Sequence, residues 1–476
     1  MYDRMHTLTL KELTKIHDTA MDLLLNTGVA FNENEALDIF KKNGFKVDGQ
    51  KVFFVEKNVQ KAIESAPSHF RVAARNPANT VAIGEDDFVL APGYGAPFII
   101  TSDGFKRNST MADYESFCKL VQTSPAININ GFLMVEPTDL PSATAHLDMI
   151  HANIILCDKP FMGSPLSGTA AKDCLNMAGI LWGNKDKLKE MTVMASLITP
   201  LSPLRYTGEM VETVVEFARY NQACIFGALI MAGSSGPLSL AGLLVQQIAE
   251  LLAGVTLTQL VRPGVPVIIG GSSSIMDLRS GCISMGAPEM TRITSAMLQM
   301  AKFYNLPARA GCATTDAHFP DIQAGFESAF GLYTAMRNGS NFILHAAGIL
   351  GAFNAMSFEK FILDEELCAL ALESLKPITI TDESIGIDII KEVGIGGNYL
   401  THPKTLEQCR TAFHLSDLVN RKGFGAWQEE GGKHINEKAT EVFRNRLSTY
   451  VKPDIDSGLE KDLTAYILKR KDEIKG

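Results

Sequence analysis

The chain has 476 residues, of which 46% are hydrophobic and 20% charged, and carries a formal charge of −9. This is ample material for a large core, and an acidic balance without a clustered basic stripe argues against nucleic acid or an anionic membrane as primary partner. The eight cysteines, at positions 118, 157, 174, 224, 282, 312, 368 and 409, show no Cys-x-x-Cys and no histidine at zinc spacing. They read as reduced thiols, mostly in the core, of a cytoplasmic protein.

The chain opens without the charged-then-apolar leader of a signal peptide, and residues 7–25 read as a capped amphipathic helix. A second helix near 33–43, a Val-rich strand pair at 47–55 and a third helix before Pro67 complete a small α+β segment over 1–76. Asn76, Pro77, Ala78 and Asn79 are turn residues and mark its end.

Between 88 and 375 one pattern recurs about eight times: a short apolar run rich in β-branched residues, a break containing Gly, Ser, Pro or Asp, and a helix-length stretch. The predicted strands are 88–92, 127–135, 160–164, 191–199, 223–232, 265–274, 307–315 and 341–350. Eight such units predict a TIM (β/α)8 barrel over 77–376, an α/β fold whose chemistry lies where strands run into the following loops. The most apolar helix, 238–260, is interrupted by Gln246, Gln247 and Glu250, which predicts a buried barrel helix and no membrane span.

From 377 to 476 the sequence predicts a helical extension. Gly394, Gly396 and Gly397 break the chain before a segment at 405–422, Gly431 and Gly432 precede a helix at 435–450, and Pro453 precedes a last one. Such a tail packs on the barrel or on a second copy in a homo-oligomer, and Phe424 and Trp427 are expected to be buried in that packing.

The motifs that announce chemistry by spacing are absent: no phosphate-binding loop, no His-Glu-x-x-His and no Gly-x-Ser-x-Gly. What remains is a group of polar and aromatic residues at predicted strand ends. Tyr94 follows the first strand between Gly93 and Gly95; Arg309 lies in the seventh strand, with Asp316, His318 and Asp321 in its loop and Glu327 beyond; His345 lies in the eighth, followed by Phe353 and Asn354. These residues would converge on one barrel mouth.

Each has a structural alternative. Arg309 could pair with Glu327 or Asp316, His345 could be a satisfied core histidine, Tyr94 and Phe353 could be core aromatics, and His318 with Asp321 could cap or orient the next helix. Asp316, His318 and Asp321 could also form a carboxylate–histidine metal cluster, though their spacing carries little weight and no metal is expected. An Arg inside an apolar strand is costly to bury unless an anion meets it. A guanidinium and an imidazole facing aromatic rings suit a small zwitterion, the first pair taking its carboxylate and the rings its quaternary ammonium.

The stretch from Gly311 through Asp316, His318, Asp321, Gln323 and Gly325 to Glu327 resembles the barrel signature of the trimethylamine methyltransferase family. So do the opening Leu13, Ile16, His17, Gly28, Val29, Ala30, Phe31, Val47, Asp48 and Gly49, and the closing Tyr399, His402, Thr405, Arg410 and Trp427. The resemblance spans the whole chain. It implies a TIM barrel that moves a methyl group from an amine to the Co(I) corrinoid of a separate carrier protein docking at the barrel mouth, with no corrinoid tightly bound to this chain.

Founding members of the family depend on pyrrolysine, and this sequence has none. Members without it demethylate quaternary amines, so the resemblance implies glycine betaine as methyl donor and dimethylglycine as product. Carnitine, proline betaine and γ-butyrobetaine are the alternative donors. Tyr94 and Phe353 would then hold the ammonium, and Arg309 and His345 the carboxylate. Corrinoid carriers show Asp-x-His-x-x-Gly; here Asp321 stands where that Gly belongs, so Asp316 and His318 are not read as a corrinoid site. Two other classes stay open: a non-catalytic betaine-binding protein, and a barrel lyase using His318 and Asp321 as acid and base.

Overall fold

The computed structural model describes residues 5–475. At its centre lie seven parallel strands in one sheet: β1 (Val89–Leu90), β2 (Phe161–Met162), β3 (Met194–Ile198), β4 (Ala223–Ala228), β5 (Val267–Gly271), β6 (Ala308–Gly311) and β7 (Phe342–Leu344). Their order across the sheet is β1-β7-β6-β5-β4-β3-β2. Every strand is buried along its whole length, as parallel strands covered by helices on the outside require.

The predicted strand at 127–135 is not one. Asn128 lends its side-chain Oδ1 to the Leu90 N–H at 3.0 Å, and the Phe132 carbonyl accepts from the Tyr114 hydroxyl, so side chains take the places of ladder bonds. The stretch is nonetheless tied to both edge strands: Asn128 N–H donates to the Leu90 carbonyl at 2.9 Å, and Met162 N–H to that of Asn130 at 2.9 Å. All seven other predicted strands are shorter than their apolar runs. The runs at 223–232 and 265–274 each divide in two, into β4 and Met231–Ala232, and into β5 and Ser274–Asp277. The run at 341–350 breaks after Leu344, where His345 takes a left-handed backbone, φ +59°, and a second short strand forms at Ile349–Leu350.

Before Pro67 the chain forms helices Leu10–Asn26, Asn34–Lys42 and Glu56–Ser65 and the strand pair Lys46–Asp48 and Lys51–Phe53. Helix Leu10–Asn26 starts at a reciprocal cap in which Glu12 N–H donates to Thr9 Oγ1 and Thr9 N–H to Glu12 Oε2. It buries Ile16, Ala20, Met21 and Leu24 and packs on helix Leu240–Val261. That long helix is apolar and long enough to cross a membrane, but it is buried between β4 and β5 on one side and the N-terminal helices on the other. Its apolarity all round follows from having two covered faces. Its buried Glu250 accepts from Ser202 Oγ at 2.7 Å, Leu204 N–H at 2.8 Å and Gln246 Nε2 at 2.9 Å, which fixes the loop after β3.

The C-terminal extension departs from expectation. The segment at 405–422 holds only the short helix Pro403–Gln408, Phe424 is 71% exposed and Trp427 is only half-buried. Helix Ile435–Ser448 packs on Phe358–Leu375, and Ser457–Lys475 on Ser142–Leu156 and Gly168–Leu181.

Candidate functional site

The loops that follow β1, β5, β6 and β7 meet above the C-terminal strand ends. Arg309, in the middle of β6, is 3% exposed, and its Nη1 donates to Ser272 Oγ at 2.8 Å. Its Nε is buried without a partner. Burial lowers the guanidinium to about 10, so it remains a cation at neutral pH. Neither expected carboxylate pairs with it, because both are engaged elsewhere. Glycines make the room: a Cβ on Gly227 would lie 3.6 Å from the guanidinium carbon, and one on Gly311 would overlap Ser272 Oγ at 2.1 Å and meet the His345 ring at 3.2 Å.

His345 follows β7. Its N–H donates to the Pro92 carbonyl at 3.2 Å, its ring is buried, and Nδ1 has no partner. Burial first, and then the Arg309 charge, push the imidazole far below the ordinary histidine range, so it is neutral. It can donate one hydrogen bond but adds no second charge. The Phe353 ring lies 4.6 Å from it, tilted by 42°. Phe353 also packs on Met231, Met285 and Met290, soft side chains around the mouth. His345, Ala352 and Phe353 all have positive φ, at 59°, 50° and 74°. Such conformations are uncommon outside glycine and gather at binding sites.

Tyr94 is placed by the chain on either side of it: Gly93 N–H donates to the Ala347 carbonyl at 2.7 Å and Gly95 N–H to that of Leu133 at 2.6 Å. Its ring is buried and its hydroxyl lacks a partner. Burial, then the nearby Cys174, raise the phenol.

Three of the four supporting residues have their carboxylates engaged in local hydrogen bonds. Asp316 accepts from Ser284 Oγ at 2.7 Å and from the Met285 and Gly286 N–H groups at 2.6 and 3.1 Å, pinning the hairpin after β5. Glu327 accepts from Thr315 Oγ1, Asp316 N–H and Gln323 Nε2 at 2.5, 2.9 and 2.9 Å. Asp321 caps helix Ile322–Arg337 by accepting from Ala324 N–H at 3.0 Å. His318 is exposed beside Gly351. Among the described residues no three His, Cys, Asp or Glu side chains gather as a metal-binding group, and no hydrogen bond joins His318 to Asp321.

Sequence reasoning missed Ser272, which orients Arg309, and the two glycines. Ser272 stands at a predicted strand end, where the same rule that found Tyr94 applies. Gly227 is a lone glycine inside a strand, itself a sign of close approach.

The family model for trimethylamine methyltransferases matches residues 1–475. The chain belongs to that family. It is 41% identical over 467 residues to the glycine betaine methyltransferase of Desulfitobacterium hafniense strain Y51, covering 98% of this chain and 97% of that one. It is 32% identical to the proline betaine:corrinoid methyltransferase of Eubacterium limosum, with 96% of each chain covered, and 30% identical to the L-carnitine:corrinoid methyltransferase of the same organism, with 93% of each covered. Among solved structures, the Methanosarcina barkeri monomethylamine methyltransferase superposes with a TM-score of 0.52 at 11% identity, covering 93% of this chain and 88% of that one, a likeness of fold alone.

Proposed function

We propose that this family member transfers a methyl group from glycine betaine to the Co(I) corrinoid of a separate carrier protein, leaving dimethylglycine. The observation that carries the reading is Arg309: a buried guanidinium without a carboxylate partner, its Nε unsatisfied, beside a neutral imidazole with a free Nδ1. A small carboxylate would satisfy both groups at once and offset the cost of burying the charge. The Phe353 ring beside His345, with Tyr94 from the loop after β1, would offer aromatic faces to the quaternary ammonium at the other end of such a molecule. The 41% identity to a glycine betaine methyltransferase supports this donor over the larger betaines.

The chemistry asks little of the protein in acids and bases. The methyl–nitrogen bond breaks with its electron pair staying on nitrogen, so the leaving group is a neutral tertiary amine and no proton moves. The methyl carbon goes to the corrinoid acceptor, a second substrate, whose cobalt supplies the new bonding pair. This chain's residues bind the carboxylate, hold the ammonium in line and exclude water.

In this reading the strand-like stretch at 128–130 closes the seven strands into a TIM barrel, and the carrier docks at its mouth. The eight free cysteines fit a reducing cytoplasm. The test is anaerobic methyl transfer to Co(I) cobalamin from a donor panel of glycine betaine, proline betaine, carnitine and γ-butyrobetaine. Glycine betaine is expected to be the best donor; a larger betaine ahead of it replaces the substrate, and turnover of any donor without cobalt overturns the reaction.

A further inference from the structure

After helix Phe358–Leu375 the chain leaves the body as an arm. From 377 to 434 only Leu418 is buried. The chain is tied back at His414, whose Nε2 lies 3.3 Å from Glu366 Oε1. The arm is not polar. Twelve large apolar side chains between Ile378 and Phe424 are about half exposed or more, with Ile378 at 87% and Phe413 at 79%. At about 100 Å² each they leave roughly 1,200 Å² of apolar side chain in solvent along the arm, against a largest apolar patch of a few hundred on an ordinary monomer.

A second uncovered face lies on the same chain. Helix Ile322–Arg337 turns Ile322, Phe326, Phe330 and Tyr333 to the outside, with Ile322 86% and Phe330 69% exposed. Spacings of four, four and three put them in one stripe along the helix. Ile322 also lines a cavity of about 530 Å³ with Leu363, Leu367, Val419 and Ile435. Stripe and cavity therefore adjoin at Ile322.

We propose that the arm of one copy lies across the stripe and adjoining cavity of a second copy, each copy giving an arm and receiving one. Three features favour a second copy as occupant. Donor and acceptor faces are both carried, uncovered, by the same chain. Two exchanged arms would bury an area in the class of permanent subunit interfaces, roughly 2,000 Å² or more. Both faces carry large exposed apolar side chains, whereas a carrier that must leave after each turnover suits a smaller and more polar contact.

The test uses the full chain in sedimentation velocity at micromolar concentration, with two variants at exposed positions. Phe326→Glu/Phe330→Glu spoils the stripe, and Ile378→Glu/Ile380→Glu/Leu400→Glu spoils the arm; far-UV circular dichroism checks that both fold. The wild type is expected to be a dimer or larger, each variant alone a monomer, and their mixture a species containing both chains, because one intact arm still meets one intact stripe. A monomeric wild type, an oligomer indifferent to either variant, or variants that fail to complement each other overturns the exchange. A wild-type monomer whose stripe variant loses only methyl transfer to the carrier would assign the face to the carrier and also overturns it.

Discussion

Arg309 in β6 and His345, the residue after the adjacent β7, share one charge between them: burial and the guanidinium keep the imidazole neutral, while the guanidinium itself, bonded to Ser272, has no carboxylate partner. The site is therefore monocationic and lacks one anion. The first expectation concerns that cation. Arg309→Met should raise the glycine betaine dissociation constant about tenfold or more, as for losing a charge-assisted hydrogen bond of about 1.5–3 kcal/mol. Titration calorimetry reads it, and unchanged affinity removes Arg309 from the site.

Ser272→Ala should weaken binding less, by roughly threefold to tenfold, since it leaves the charge and removes the oxygen that orients it, a bond of about 1 kcal/mol. Gly311→Ala should do at least as much, because its Cβ would displace the same hydroxyl. Calorimetry on the two variants side by side checks the pairing; a Gly311→Ala protein with wild-type affinity would contradict it.

The ammonium end is tested at Phe353. Truncation to Ala should cost about 1–2 kcal/mol of betaine affinity as the cation–π face is lost, while Phe353→Tyr retains most of it. Dimethylglycine, which carries no permanent cation, should lose less between wild type and Phe353→Ala when its protonated amine is absent at high pH.

Binding should be flat with pH through the ordinary histidine value of about 6.5, because His345 is neutral on both sides of it. It should weaken as pH rises through and above about 10, where the free-protein guanidinium loses its proton and with it the attraction for a carboxylate. Stability carries the complementary sign. A depressed histidine contributes stability that is present above about 6.5 and lost as pH falls through its folded value, so His345→Gln should lessen acid lability. Kd and chemical denaturation measured across pH test both, and an inflection in Kd near 6.5 would mean a charged imidazole.

Asp316 should matter for stability and not for recognition. Asp316→Ala leaves the Met285 and Gly286 N–H groups and the Ser284 hydroxyl without their acceptor, at a cost on the order of 3 kcal/mol. A lower Tm and faster proteolysis of the 282–286 hairpin are expected, with betaine affinity changed far less than in Arg309→Met.

Much of the scaffold was legible because period and length are local properties. Seven of the eight apolar runs contain sheet strands, and the capped first helix forms one residue in from its Thr9 cap. The failure at 127–135 has a cause that a run of apolar residues conceals, since Asn128 and Tyr114 compete for the ladder with side-chain atoms. Within the site, Arg309 stood out by the cost of a charge in an apolar strand, and His345 and Phe353 by position. Asp316, Asp321 and Glu327 had the right chemistry in the right loop, yet their carboxylates are consumed by backbone N–H groups, which spacing cannot foretell. The extension misled for the opposite reason: apolar residues imply a cover, and a sequence does not say whose.

The central claim is tested most directly by mixing the protein anaerobically with Co(I) cobalamin and glycine betaine and following the Co(I) absorbance band together with dimethylglycine. The account predicts that Co(I) disappears as dimethylglycine appears in equal amount, and that Arg309→Met slows both. Dimethylglycine formed without loss of Co(I), or neither change with cobalamin or a corrinoid carrier protein present, would contradict it.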